Sequence, residues 1–223
     1  MAPGSSFDAF PSRRMMADSS SLDPKHSADS FPDSDAGLIE KTVESKLLHQ
    51  GKFLTLKLDT VELPDGKHAT REYVEHPGAV MILPLFDDGR VLLERQYRYP
   101  IRKVLLEYPA GKLDPNESEL ACAKRELHEE TGYTAREWFF LTRIHPVISY
   151  STEFIDLYLA RGLTAGENKL DEGEFLETFI ADRSQIFEWI KSGQISDVKT
   201  IIGSFWLEKV MSGEWKLSDP VSE

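Results

Sequence analysis

Between Gly111 and Tyr133 the chain reads GKLDPNESELACAKRELHEETGY, and no other segment restricts its folding as much. The segment starts with a glycine after Pro109-Ala110 and runs through a loop. From Ser118 to Thr131 it then places Leu120, Ala121, Ala123, Lys124, Leu127 and His128 at helical spacing, with Gly132 as a natural C-cap. Residues three and four apart on a helix share a face, so Glu126, Glu129 and Glu130 project their carboxylates into one small volume. That arrangement repels itself until a cation fills it. Hard divalent cations such as Mg2+ favour carboxylate oxygens, keep waters and bind phosphates as well. A Glu-rich helix face is ordinarily just a solvated surface. Here a glycine that lets the backbone turn tightly precedes the helix, and Arg125 is placed to pair with Glu117 and brace the loop.

The rest of the chain alternates between extended and helical patterns. Residues 1–36 are rich in Ser, Asp and Pro without apolar periodicity, the composition of a disordered tail. Arg13-Arg14 is followed by Met15-Met16-Ala17-Asp18 rather than an apolar segment, so it does not read as an export signal. Strand character begins at Thr42. Phe53 to Leu58 and Ala69 to Glu75 flank the turn Pro64-Asp65-Gly66-Lys67, and Ala79 to Phe86 is an apolar run. After the turn Asp87-Asp88-Gly89-Arg90 comes Val91-Leu92-Leu93, for which antiparallel pairing with the preceding run is expected. Further extended pieces are expected at Val104 to Tyr108, Trp138 to Ile144, Phe154 to Ala160 and Phe175 to Ile180. Helices are expected at Gln185 to Ser192, behind the capping pattern Asp182-x-x-Gln185, and at Val198 to Met211. The order predicts an α+β fold, a mixed sheet sandwiched by helices and preceded by an antiparallel strand region. The expected organisation is a tail over 1–36, an N-terminal β region over 37–76, a main domain over 77–213 and a C-terminal tail over 214–223.

Charge narrows the function. A formal net charge of -12 disfavours nucleic acid and anionic membranes as partners, since both attract clustered Lys and Arg. If the ligand is a phosphate, a cation has to accompany it. The single cysteine, Cys122, forms no internal disulfide and, with no secretory signal, suits a reducing, cytoplasmic setting.

The segment from Gly111 to Tyr133 matches G-x5-E-x7-R-E-U-x-E-E-x-G-U at every fixed position, where U is bulky and apolar or aromatic. With residue frequencies of about 7%, its seven invariant letters would coincide by chance on the order of once in 10^8 starting positions, so coincidence is set aside. The segment resembles the Nudix box. The stretches from Arg71 to Val80, Glu94 to Pro100 and Leu106 to Gly111 are similar to the ADP-ribose pyrophosphatase subgroup of that family, and the likeness runs from about Val43 to Val210.

The resemblance implies a Nudix fold and hydrolysis of the pyrophosphate bond of ADP-ribose, or of a related nucleoside diphosphate sugar, to AMP and ribose 5-phosphate. It implies Mg2+, with Mn2+ as the alternative, held by Glu126, Glu130, Glu174 and the Ala110 carbonyl, with Glu129 beside them. Glu172 becomes the candidate base for the attacking water, and Glu129 is expected with it as a catalytic carboxylate. Gly111, Glu117, Arg125 and Gly132 form the frame of the box. Arg98 is expected on the substrate phosphates, Phe53 against adenine, and Arg71 in the site of the neighbouring subunit of a homodimer. One departure stands out: Pro146-Val147-Ile148-Ser149-Tyr150-Ser151 lacks the second proline and the glycine usual at that turn, which leaves loop shape and sugar preference open. The competing readings are a Nudix enzyme for another nucleotide sugar or dinucleotide, and a non-catalytic module that senses ADP-ribose. A DNA-reading unit in the C-terminal helices is disfavoured by their few basic residues.

Overall fold

The computed structural model describes residues 35–170 and 172–222. The expected tail therefore lies outside the described residues except for its last two positions. The chain divides after Ile39, and the fold belongs to residues 40–223.

Strands β1 (Lys41–Gln50), β2 (Thr55–Glu62) and β3 (His68–Glu75) form an antiparallel three-stranded sheet in that order. The β2–β3 hairpin turns at Pro64-Asp65-Gly66-Lys67, where Gly66 takes a positive φ that costs a glycine little. Phe53 falls in the connection before β2 and not within the strand. Every residue of β1 is exposed.

The main sheet runs β10 (Leu176–Ala181), β5 (Val91–Arg98), β4 (Ala79–Leu85), β9 (Ile155–Thr164), β8 (Thr134–Ile144), with β6 (Lys103–Glu107) beside β5 and β7 (Ala110–Lys112) beside β4. β4 is buried along its whole length and serves two cores, as a strand covered on both faces must. Val80 and Ile82 pack with Leu120, Ala123 and Leu127 of helix α1 (Glu119–Thr131). Met81 and Leu83 pack on the other face with Ile186 of α2 (Arg183–Ser192) and Leu207 of α3 (Val198–Met211). No described helix is long and apolar enough to cross a membrane.

The expected antiparallel pairing of the two runs around Gly89 is confined to Leu85 and Val91. β4 instead takes β9 in parallel along one side, and its first three residues take β7 on the other. β5 leaves with β6 and β10. The sheet thus forks: β4 and β7 form one prong, β5 and β6 the other, and the chain crosses between them at Tyr108-Pro109. Leu105 and Glu107 on one prong and Ala79, Val80, Ala110 and Gly111 on the other line a cavity of about 340 Å3.

Candidate active site

Helix α1 is framed as its sequence requires. The Ser118 hydroxyl accepts from the Ala121 N–H at 3.2 Å, and Gly132 ends the helix in the left-handed conformation with φ 76°. Cys122, on the buried face of α1, is closed to solvent, its thiol donating to the Lys112 carbonyl at 3.3 Å. Gly111 on β7 is obligatory for a reason of space, because a Cβ there would stand 1.7 Å from Glu126 Oε1. The Glu130 carboxylate accepts from the Ala110 N–H at 3.0 Å. Strand and helix are therefore joined through the two acidic side chains.

Arg125 pairs with Glu117 through two 2.8 Å hydrogen bonds, as expected, and also reaches Glu126 at 2.8 Å and Glu129 at 3.0 Å. Its guanidinium holds the Glu117 carboxyl down at about 2. Glu126 and Glu130 behave differently. Burial raises both, Glu130 well above the usual carboxylate range, and the neighbouring carboxylates Glu94 and Glu126 raise Glu130 further.

A second bank of charge comes from the other prong. Residues two apart on a strand share a face, so Glu94, Gln96 and Arg98 form one row on β5, and Glu107 lies opposite Glu94 in the β5–β6 register. Arg98 donates to both Glu107 oxygens, at 2.7 and 2.8 Å. Glu107 also accepts from Nζ of Lys199, at the start of α3, which reaches Asp197 at 3.0 Å as well. Burial alone would raise Glu107, yet the Arg98 hydrogen bonds and the Lys199 charge bring it below its ordinary value. Glu94 has no such help. Its carboxylate oxygens are buried without a hydrogen-bond partner, and burial together with the Glu107 charge pushes it up to about 8.

These residues fit a divalent cation. Among the described residues no three acidic, His or Cys side chains already close around one point, and Arg125 holds Glu126 and Glu129. What is present is a set of carboxylates with more negative charge than local cations offset, which suits a hard ion shared with phosphate and water rather than a closed cage.

The cavity at the fork is lined by Arg98, Glu107, Gly111 and Lys199, and also by Glu153 and Lys112. Lys112 lines a neighbouring cavity of about 610 Å3 together with Lys52 and Phe53. The Phe53 ring is half exposed, stands edge-on to His76 at 5.9 Å, and carries Lys112 Nζ 5.3 Å from its centroid. One aromatic face and one cationic wall are thus joined through Lys112.

The NUDIX domain family matches residues 75–199, and the nucleoside diphosphate sugar hydrolase N-terminal domain matches residues 40–74. The chain belongs to the Nudix family. It is 36% identical to the ADP-ribose pyrophosphatase of Bacillus subtilis, over 77% of this chain and 94% of that one. It is 37% identical to the methanol dehydrogenase activator of Bacillus methanolicus, over 76% and 92%. With the ADP-ribose pyrophosphatase of Mycobacterium tuberculosis it shares 40% over 55% of this chain and 60% of that one. A solved structure described as an ADP compounds hydrolase superposes with a TM-score of 0.71 at 23% identity, covering 78% of this chain and 95% of that one, and so shares the Nudix fold.

Within this Nudix site the expected residues divide. Ala110, Gly111, Glu126 and Glu130 meet where β7 touches α1, and Glu117, Arg125 and Glu129 form the ion-pair hub beside them. Glu174 accepts from Gln96 at 3.3 Å, and its charge acts on Glu94, Glu126 and Glu130. Glu172 stands in an exposed turn. Arg71 pairs with Glu40 of its own chain, with Nε to Oε2 at 2.8 Å. The turn that departs from the subgroup is tied to β3, where the Val74 N–H donates to the Tyr150 carbonyl at 2.9 Å, and it brings Pro146 and Glu153 to the cavity wall. Sequence reasoning missed Glu94, Glu107, Lys199 and Asp197. Counting back from Arg98 in two steps of two, along one face of the strand, reaches Glu94; Lys199 left no signal, being one lysine at the start of an ordinary helix.

Proposed function

We propose that this chain hydrolyses the pyrophosphate bond of ADP-ribose, giving AMP and ribose 5-phosphate, with Mg2+ as the ion it uses. The observation that carries the reading is the pair of opposed charge banks at the fork. Buried carboxylates stand on α1, and Arg98 and Lys199 line the cavity from β5 and α3. A diphosphate needs both, a metal shared with carboxylates and a guanidinium on its oxygens. Glu126, Glu130, Glu174 and the Ala110 carbonyl would hold the ion, which supplies Lewis acidity and offsets charge at phosphorus.

The remaining work falls to the chain itself. Arg98, fixed in direction by its two bonds to Glu107, presents a preorganised fork to the phosphates. Phe53 offers the adenine a stacking face, and Lys112 lies between that face and the diphosphate. Glu129 is kept at the site by Arg125. Glu172 is assigned as the base that takes the proton of the attacking water. The base assignment is checked with Glu172→Gln, which should lower kcat on the order of 100-fold or more while leaving KM nearly unchanged.

The assembly is read as a homodimer built through the N-terminal sheet, with Arg71 serving the site of the neighbouring subunit. Val43, Leu47 and Leu48 on the wholly exposed β1 support this reading, as apolar side chains that a second copy would cover. A cytoplasmic location follows from the same reading, in keeping with the reduced, buried Cys122.

The deciding experiment is ADP-ribose turnover with and without Mg2+, products identified, with ADP-glucose, a diadenosine polyphosphate and NADH in competition. Preferential, Mg2+-dependent release of AMP and ribose 5-phosphate is expected. Preference for a competitor would keep the site and reassign the substrate, and turnover of none would leave a sensor.

A further inference from the structure

The β5 row holds one group that the reading above leaves unused. Glu94 is fully buried, and both of its carboxylate oxygens lack a hydrogen-bond partner. Its direction follows from its neighbours. Leu93 packs into the core shared with α2 and α3, so the alternation of the strand turns Glu94 to the opposite face of the sheet, where its charge acts on Glu130 of α1. There it lies across from Glu107 and precedes Gln96, which reaches Glu174.

We propose that Glu94 is a further carboxylate ligand of the divalent-cation site, closing it from the β5 side, so that the ion is gripped by strand and helix together. This rests on the reading of the site as a cation-dependent diphosphate hydrolase and deepens it. Charge pairing singles Glu94 out. Arg125 is committed to Glu117, Glu126 and Glu129, and Arg98 and Lys199 to Glu107 and Asp197. Glu94 and Glu130 remain, two neighbouring carboxylates of which Glu130 accepts from the Ala110 N–H and Glu94 accepts from no donor among the described residues. One divalent ion balances two carboxylates. A purely structural role explains Glu94 poorly, because an apolar side chain would fill the same space without a buried acid, and a neutral carboxyl would still want an acceptor for its O–H.

The test uses the full chain, nucleotide-free, titrated with Mn2+ and followed by the EPR signal of the free ion and by the metal-induced rise in Tm. Glu94→Gln, close in volume and uncharged, should weaken the Kd for Mn2+ by on the order of 10- to 100-fold while metal-free Tm holds or rises. Should that variant fold poorly by circular dichroism, Glu94→Val is read in the same way. An unchanged Mn2+ affinity in the folded variant, with Glu130→Gln losing it as the control, overturns the proposal. The two readings separate cleanly: if the parent fails to cleave ADP-ribose but Glu94→Gln loses Mn2+, the substrate falls and the ligand stands. If the parent cleaves it and Glu94→Gln binds Mn2+ normally, the reverse holds. A parent chain that binds no Mn2+ removes both.

Discussion

Gly111 and Glu126 occupy one space: the carboxylate of Glu126 rests where any side chain at position 111 would have to begin, with 1.7 Å between its Oε1 and a Cβ built there. Gly111→Ala must therefore displace either β7 or the Glu126 side chain. The expected cost is about 1–3 kcal/mol of stability from overpacking. With Glu126 holding the ion as proposed, a shift of roughly 1 Å is expected to lower turnover on the order of 100-fold. Urea denaturation together with kcat checks both, and normal turnover in Gly111→Ala would remove Glu126 from the site.

Glu107 is the shared acceptor of Arg98 and Lys199, so its loss takes away the carboxylate that holds Arg98 and leaves Lys199 to Asp197 alone. Glu107→Ala should destabilise by roughly 3–5 kcal/mol, the range for breaking a buried pair from one side. If Arg98 serves the phosphates as proposed, Glu107→Ala should also raise KM more than it lowers kcat, because the guanidinium loses the acceptor that fixes its direction. Denaturation midpoints and steady-state kinetics on one preparation separate the two effects.

Phe53 is half exposed and stands outside both cores. Phe53→Ala should leave stability within about 0.5 kcal/mol. Stacking worth about 1–3 kcal/mol predicts a KM for ADP-ribose raised roughly 5- to 100-fold. A KM unchanged by the substitution would place the base elsewhere.

The carboxyls of Glu94 and Glu130 are raised in the folded chain, Glu94 to about 8. Between the ordinary carboxylate range and about 8 the native state holds protons that the unfolded chain has released, so metal-free stability falls as pH rises through that window. Tm measured in EDTA should drop steadily from pH 5 to pH 8, and Mg2+ should flatten the slope. Glu117 has the opposite sign. Held at about 2 by Arg125, it adds stability that is present above its ordinary range and lost as pH falls toward 2.

How far the sequence disclosed this structure depended on where each residue's partners lie. The box helix was readable because Glu126, Glu129, Glu130 and Gly132 act within one helix and its cap, where spacing alone fixes the face. The hairpin at Gly66 was readable for the same local reason. The fork was not: whether β4 pairs with β5 or with β9 depends on a strand far along the chain, and an apolar run looks alike in either case. Glu94 escaped notice because it follows Val91-Leu92-Leu93, where an acid reads as the end of a buried strand. The role of Glu107 depends on Lys199, which reaches it from a different helix.

The lone thiol of the chain is carried on the inner face of the box helix, in contact with the Lys112 carbonyl and closed to solvent. Burial holds it far above the pH at which thiols ionise. A disulfide reagent can reach it only when α1 lifts from β7, so its reaction rate is a built-in clock for opening of the box helix. No label has to be introduced, and any ligand that closes the site should slow that clock.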